Sequence, residues 1–143
     1  MYISDVEQLK INYKTLEQFQ KFVGNSSQEL SMHKDLQSDL IENPSDSPFY
    51  GIYMSNLLVA RMSIYTKTEH TFTIPVYEKY IDLRKFEVLP AFYNKGIGTK
   101  MINFAKNFNL PIIAIARVNS HGFFEKQGFM KVKNENDCYY WLP

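Results

Sequence analysis

The sequence of 143 residues predicts an α/β (α+β) protein with a central mixed β-sheet of about seven strands flanked by about four helices. Pro111 to Ala116 forms a run that is apolar on both sides, which is typical of a strand in the interior of a sheet. Phe49 to Met54 and Leu57 to Tyr65 are separated by two turn residues and predict a hairpin. A helical pattern begins at Gly98, between the strand patterns Tyr80 to Leu89 and Pro111 to Ala116, and implies a parallel strand pair.

The first part of the chain is predicted to hold one strand and two helices. The strand is expected near Val6 to Tyr13. Thr15 and Ser26 each stand three positions before Gln or Glu, the spacing of a capping box at a helix start. Gly24 is expected to end the first helix and Asn43-Pro44 the second. Apolar residues at helical spacing follow both starts: Leu16, Phe19, Phe22 and Val23, then Met32, Leu36 and Leu40.

Beyond the hairpin, Thr66 to Lys79 is polar and is expected to form a flap or to extend the hairpin. The helix after Gly98 should bury Met101, Ile102, Ala105 and Phe108, while Lys100 and Lys106 stay in water. The remaining elements are expected in this order: a strand over Tyr80 to Leu89, a helix over Gly98 to Phe108, the strand Pro111 to Ala116, a helix over Ser120 to Gln127, and a closing antiparallel pair, Gly128 to Val132 with Cys138 to Leu142.

Composition narrows the class of protein. The length and a hydrophobic share of 45% suit one domain with one core. Sixteen basic and fifteen acidic residues are interleaved, so no basic face for nucleic acid is indicated. Cys138 is the single cysteine, and neither a signal peptide nor a membrane-length apolar run is present, so a cytoplasmic protein that does not bind membranes is expected. His33, His70 and His121 are scattered, and no metal is expected.

Gly96 and Gly98 join a strand to a helix, and the first backbone N–H groups of a helix attract anions. A dinucleotide fingerprint would need a small residue where Met101 stands and an acidic residue where Val118 stands. A P-loop would need four residues between its glycines, and here there is one. The pattern therefore indicates another phosphate-bearing cofactor.

This stretch resembles motif A of the GNAT N-acetyltransferases, Gln/Arg-x-x-Gly-x-Gly/Ala after a strand that ends in Val-x-Pro. Tyr93 departs from the pattern at the Gln/Arg position. Asn119 to Phe129 is similar to the second signature of the family, Asn-x-x-Ala-x-x-Phe/Tyr-Tyr-Glu-Lys-x-Gly-Phe, with some variation in length. The resemblance implies one GNAT-like acetyltransferase domain over residues 1–143, with the cofactor at a splay between two parallel strands. The residues that fall on motif A are Val88, Pro90, Gly96 and Gly98.

The resemblance also implies how acetyl-CoA (CoA) would bind. The backbone of Phe86, Glu87 and Val88 would pair with the pantetheine, and the Val88 N–H would face the thioester carbonyl as an oxyanion donor. Asn119 would contact the pantetheine arm, and Phe124 would lie against the thiol end. The loop that would hold the phosphates consists of Tyr93, Asn94, Lys95, Gly96, Ile97, Gly98 and Thr99.

The catalytic acid and base are less well defined by the motifs. Asp82 lies six positions before Val88, where histone-acetylating members carry their basic glutamate, and Glu87 is the alternative base. Solvent can also deprotonate the amine. Many family members have tyrosine at the position of Phe124, and a phenylalanine ring cannot donate a proton. Tyr139 lies in the closing strand and is the alternative acid, although a core role explains it equally well.

The leading function is therefore transfer of an acetyl group from acetyl-CoA to a primary amine, of a small molecule or of a protein, by direct attack in a ternary complex. The alternative is a non-catalytic acyl-CoA-binding sensor or interaction domain, which the residues at Phe124 and Tyr93 favour. The expected partners are acetyl-CoA and an amine acceptor, and the chain is compatible with a homodimer.

Overall fold

The computed structural model describes residues 3–22, 28–68, 79–116, 120–133, 135 and 137–143, with residues 28–31 described by their backbone. A turn of 3₁₀ helix, Pro90–Phe92, precedes the third helix. The helices and strands of these residues are β1 (Glu7–Gln8), α1 (Tyr13–Lys21), α2 (Gln28–Glu42), β2 (Phe49–Met54), β3 (Leu57–Lys67), β4 (Tyr80–Val88), α3 (Ile97–Lys106), β5 (Ile112–Ile115), α4 (His121–Lys126), β6 (Met130–Lys131) and β7 (Cys138–Trp141).

The described strands form one mixed sheet of seven, in the order β1-β2-β3-β4-β5-β7-β6. β4 and β5 are parallel, with Ile81 opposite Ile112, whereas β7 is antiparallel to both β5 and β6. The predicted α/β fold, the parallel pair and the interior position of β5 are therefore confirmed. Ile115 is 58% exposed, because it ends the strand.

The chain divides into two compact units, Met1–Ser63 with Lys85–Met101 and Ile64–Arg84 with Ile102–Pro143. The single domain predicted over residues 1–143 stays a prediction. No helix within the described ranges is long and apolar enough to span a bilayer. The core of the first unit contains Leu9, Leu16, Phe19, Phe22, Met32, Leu36, Phe49 and Leu58. The core of the second contains Ile81, Leu83, Ile112, Ala114, Phe124, Phe129 and Tyr139.

The start of α1 differs from the prediction. Asn12, and not Thr15, is the N-cap, because the Asn12 side-chain oxygen accepts a hydrogen bond of 2.8 Å from the Thr15 backbone N–H. The helix therefore begins at Tyr13, which the prediction had placed in the first strand, and that strand is reduced to Glu7–Gln8. Thr15 is buried inside the first turn. The predicted cap Ser26 and stop Gly24 lie outside the described residues.

The hairpin of β2 and β3 is confirmed, with Ser55 in the turn at a φ of 55°. A Cβ atom on Gly51 would lie 2.8 Å from the carbonyl oxygen of Ala60, so this strand position requires a glycine. β3 continues two residues past the predicted end at Tyr65. Most of the segment predicted as a flap, residues 69–78, lies outside the described ranges.

α3 is one residue earlier at its start and two residues shorter at its end than predicted. Phe108 follows the helix and is 42% exposed, and Asn109 reverses the chain at a φ of 57°. Lys106 is not in water as predicted, because its Nζ donates to the Gln127 carbonyl and lies 5.1 Å from the centre of the Trp141 ring. The predicted closing pair is confirmed as antiparallel but is shorter, with two residues in β6.

Candidate active site

The loop between β4 and α3 is open and lacks negative charge. Asn94 and Gly96 have φ values of 62° and 78°, which glycine and asparagine tolerate best. The Lys100 N–H donates to the Gly96 carbonyl at 3.0 Å, and no acidic residue lies in the first turn of α3. Since a helix start presents backbone N–H groups and partial positive charge, this loop fits a phosphate group.

The two lysines of this region have different surroundings. Lys100 donates from Nζ to the carbonyl of Ser4 at 2.8 Å and lies 3.3 Å from the Asp5 carboxylate. Lys95 is exposed beside Gly96. Lys95 is therefore the better placed of the two to meet an anionic ligand, because Lys100 already fixes the N-terminal segment to α3.

The side chain of Glu87 is buried in the first unit, whereas its neighbours Phe86 and Val88 are half-buried. Its carboxylate lies 3.4 Å from the guanidinium of Arg61, which is fully buried and also donates to the Phe19 carbonyl at 3.1 Å. The guanidinium carbon of Arg61 lies 5.0 Å and 4.2 Å from the ring centres of Phe19 and Phe22. Glu87, the residue before Val88, is thus paired with a buried cation.

The other predicted base, Asp82, belongs to the second unit. It lies opposite Ile113 in the parallel ladder, and its side chain is 24% exposed. Its carboxylate accepts a hydrogen bond of 3.2 Å from Arg84, which is 46% exposed and also lies over the Tyr65 ring at 4.6 Å. Water therefore reaches the surroundings of Asp82 more readily than those of Glu87.

The face of α4 that the family resemblance assigned to the cofactor packs on β7. Phe124 is 3% exposed, and its ring centre lies 5.2 Å from that of Phe129 and 6.2 Å from that of Tyr139. Phe124 is therefore a core residue of the second unit. Asn119, the predicted pantetheine contact, lies outside the described residues.

The hydroxyl group of Tyr139 donates to the Glu125 carboxylate at 3.1 Å. Burial raises the pKa of Tyr139, and the hydrogen bond to Glu125 raises it further. Burial also raises the pKa of the neighbouring Cys138 thiol, with a smaller contribution from the Glu135 carboxylate. Both groups thus hold their protons more tightly than usual.

One polar pair beside Tyr139, His121 and Asp137, was not predicted from the sequence. His121 begins α4, and its Nε2 lies 2.7 Å from Oδ1 of Asp137, the residue before β7. The His121 ring centre is 5.2 Å from that of Tyr139. The signal for His121 was present, because it stands three positions before Phe124 on a predicted helix and so shares its face. No local pattern indicated Asp137.

The predicted site residues fall in both compact units. Phe124 and Tyr139 contact each other in the second unit, where Asp82 also lies. Glu87, Val88 and the loop from Tyr93 to Thr99 belong to the first unit. Within the part of the chain that is described, no three or more His, Cys, Asp or Glu side chains are grouped as metal ligands.

The chain matches the model of the acetyltransferase (GNAT) family over residues 13–129. It is 48% identical over 145 positions to an uncharacterized N-acetyltransferase of Oceanobacillus iheyensis, with 96% of this chain and 91% of that protein covered. An uncharacterized N-acetyltransferase of Bacillus mycoides is also 48% identical, over 139 positions, with 96% and 88% covered. The chain therefore belongs to the GNAT family of acetyltransferases.

Among solved structures, the chain is similar to the Bacillus subtilis N-acetyltransferase YlbP, which was crystallised in complex with coenzyme A. The two are 44% identical, with a TM-score of 0.79 and coverage of 97% of this chain and 96% of that one. Acetyl-CoA is the cofactor of the family. The open loop before α3 fits its phosphates.

Proposed function

We propose that the chain is an acetyl-CoA-dependent N-acetyltransferase whose acceptor is a primary amine of a small molecule or of a protein. The main support is the open, acid-free loop at the start of α3 in a chain of this family. Acetyl-CoA supplies the acetyl group as a thioester, and the amine attacks it directly in a ternary complex.

Each part of the candidate site has a proposed task. The loop from Tyr93 to Thr99 holds the phosphates, and the backbone of Phe86 to Val88 pairs with the pantetheine. The Val88 N–H stabilises the oxygen that becomes negative during the transfer. Asn119 contacts the pantetheine arm, and α4, whose buried Phe124 packs on β7, lies beside the thiol end. These tasks follow from the family signatures at these positions.

For the base we propose Asp82 in preference to Glu87. An alkyl ammonium group has a pKa of about 10.4 and is almost wholly protonated at neutral pH, so a proton must be removed. Glu87 is 8% exposed and paired with Arg61, whereas Asp82 is 24% exposed and paired with a surface arginine. Asp82 can therefore accept a proton through water.

The test combines cofactor binding with turnover. Coenzyme A at a hundredfold excess over its dissociation constant should stabilise the protein by about 2.7 kcal/mol. Release of thiol from acetyl-CoA is then measured with a panel of primary amines. Asp82→Asn should lower turnover and leave acetyl-CoA affinity unchanged. An unchanged melting temperature of the folded protein in millimolar coenzyme A would refute the assignment.

One observation favours the second candidate, a non-catalytic acyl-CoA-binding domain. Phe124 carries no acidic proton, and the Tyr139 hydroxyl is already bonded to Glu125. Binding of coenzyme A without thiol release from acetyl-CoA, with every amine tried, would support this candidate over the enzyme.

A further inference from the structure

We propose that Arg61 is a positioning residue for the acetyl transfer: it cancels the charge of Glu87, so that the Val88 N–H stabilises the oxygen that becomes negative. The inference rests on the acetyltransferase function proposed above and on the task given there to Val88. Arg61, Glu87, Val88 and the loop from Tyr93 to Thr99 all belong to the first unit. Arg61 acts through Glu87 and needs no contact of its own with the cofactor.

The backbone directs the Val88 N–H away from β3. The next N–H along the chain, that of Leu89, donates to the Val59 carbonyl of β3 at 2.8 Å. Successive N–H groups of an extended strand point to opposite edges, so the Val88 N–H points to the other edge of β4. Glu87 and Val88 share one planar peptide group, and holding Glu87 therefore restrains the direction of this N–H. Pairing with β3 does not occupy the Val88 N–H.

The side chain of Glu87 brings a negative charge close to this donor. Its carboxylate belongs to the residue directly before Val88 and is 8% exposed, so water screens it little. Charges inside a protein act on each other about four times more strongly than in water, because the effective dielectric constant is about 20 instead of 80. An uncompensated Glu87 carboxylate would therefore oppose a second negative charge at the Val88 N–H, where the proposed transfer creates one.

Arg61 supplies the compensating charge. Its guanidinium group is fully buried, lies 3.4 Å from the Glu87 carboxylate, and is kept in place by the Phe19 carbonyl and by the rings of Phe19 and Phe22. Arginine stays charged even when it is buried. The distance of 3.4 Å is longer than the usual length of about 2.7–2.9 Å for a hydrogen bond between charged groups, so the pair acts more through charge than through a short hydrogen bond.

Four variants separate this role from a purely structural one. The Arg61–Glu87 pair is neutral in wild type, and it stays neutral in Arg61→Lys and in the double variant Arg61→Met with Glu87→Met. It becomes negative in Arg61→Met and positive in Glu87→Gln. A structural role predicts effects that follow stability, which every single variant should lower. The charge role predicts an effect on the bound thioester that follows the net charge of the pair.

The first experiment tests the donor and needs no acceptor. Backbone N–H signals of wild type are recorded by NMR with coenzyme A and with acetyl-CoA. Because only acetyl-CoA carries the thioester carbonyl, the Val88 signal should differ between the two complexes, whereas the signal of Gly51 on β2 should coincide. Identical Val88 signals in both complexes would remove the task of Val88, and the role of Arg61 would fall with it.

The second experiment measures the polarisation of the thioester carbonyl. Acetyl-CoA labelled with ¹³C at the carbonyl is bound to each variant at about pH 9, so that Glu87 stays ionised when Arg61 is replaced. A polarised carbonyl carbon resonates downfield. We expect an upfield shift from wild type in Arg61→Met and a downfield shift in Glu87→Gln. The double variant should return towards wild type. Arg61→Lys should lie close to wild type although it loses packing.

The outcomes distinguish the levels of the proposal. Lys21→Ala removes a cation that is 75% exposed at the end of α1 and should leave the carbonyl resonance at its wild-type position. If wild type fails to bind acetyl-CoA, the proposed function fails. If acetyl-CoA binds and Val88 responds, but Arg61→Met and Glu87→Gln give the wild-type resonance, the inference about Arg61 fails alone. It also fails if Arg61→Lys matches Arg61→Met, because geometry instead of charge would then decide the polarisation.

Discussion

Each unit contains a basic side chain paired with a carboxylate beside aromatic rings, but the two pairs differ in access to water. The sealed pair, Arg61–Glu87, is 0% and 8% exposed, with a guanidinium between two phenylalanine rings. The accessible pair, His121–Asp137, is 25% and 41% exposed. Arginine stays charged at every relevant pH, whereas histidine changes its charge near neutrality. Burial and residue type together suit the first pair to hold structure, whereas the second pair stays in contact with water.

The largest effect is expected from breaking the sealed pair. Arg61→Met leaves the Glu87 carboxylate buried without its cation and should lower the free energy of unfolding by about 3–5 kcal/mol. Asp137→Asn removes the negative charge of the accessible pair and should cost about 1 kcal/mol or less. Urea denaturation measures both.

A double variant separates charge from packing in the sealed pair. Arg61→Met with Glu87→Met should recover most of the lost stability, because apolar residues often replace a buried ion pair without cost. Lys21→Ala at the exposed Lys21–Glu17 pair serves as a surface control and should leave stability unchanged. A double variant as unstable as Arg61→Met would show that the arginine acts through packing rather than charge.

A smaller effect is expected at Lys106, whose side chain is half-buried. Lys106→Ala removes the hydrogen bond to the Gln127 carbonyl and the contact with the Trp141 ring, and should cost about 1–2 kcal/mol. Lys126→Ala, at an exposed position of α4, is the matched control. Equal melting temperatures for the two variants would mean that the contacts of Lys106 with Gln127 and Trp141 do not stabilise the fold.

Two glycines, one in the loop before α3 and one in α4, allow a matched test of how backbone conformation affects stability. Gly96 has a φ of 78°, so Gly96→Ala should destabilise the protein by about 1 kcal/mol. Gly122 lies inside α4 with open space around its Cβ position, so Gly122→Ala should stabilise by about 0.5–1 kcal/mol. Thermal denaturation should give opposite signs, and the same sign for both would contradict the backbone argument.

The smallest effect is confined to alkaline pH. Because the folded state raises the pKa of Tyr139 above its unfolded value of about 10, this residue contributes stability that is present below pH 10. That contribution is lost as the pH rises through the folded pKa. Tyr139→Phe should therefore flatten the alkaline decline of the unfolding midpoint between about pH 9 and 12. If the midpoint of the variant declines as steeply as that of wild type, groups other than Tyr139 cause the loss of stability.

Local patterns predicted what depends on neighbours in sequence. The glycine loop, the hairpin and the interior strand were visible because period, turn residues and apolar runs are local signals. At α1 the predicted cap Thr15 is wrong, and Asn12 is the N-cap because its side chain reaches the Thr15 N–H. The exact start of that helix could not be read from spacing alone.

The charged pairs depend on contacts that are distant in sequence. Arg61 lies on β3, and the rings of Phe19 and Phe22 at the end of α1 cover its guanidinium group. Glu87 is 26 residues away, and Asp137 is 16 residues from His121. Local patterns could not predict either pair, because the two side chains of each pair come together only when the chain folds.

The outermost strands of the sheet, Glu7–Gln8 and Met130–Lys131, are each two residues long and exposed. An edge strand is a template for other chains, since its outward N–H and C=O groups seek partners. Two residues present too few of these groups to recruit a stray strand, and Lys131 and Glu7 add charge at each rim. Among the described strands, these short charged edges disfavour edge-to-edge pairing with a second copy.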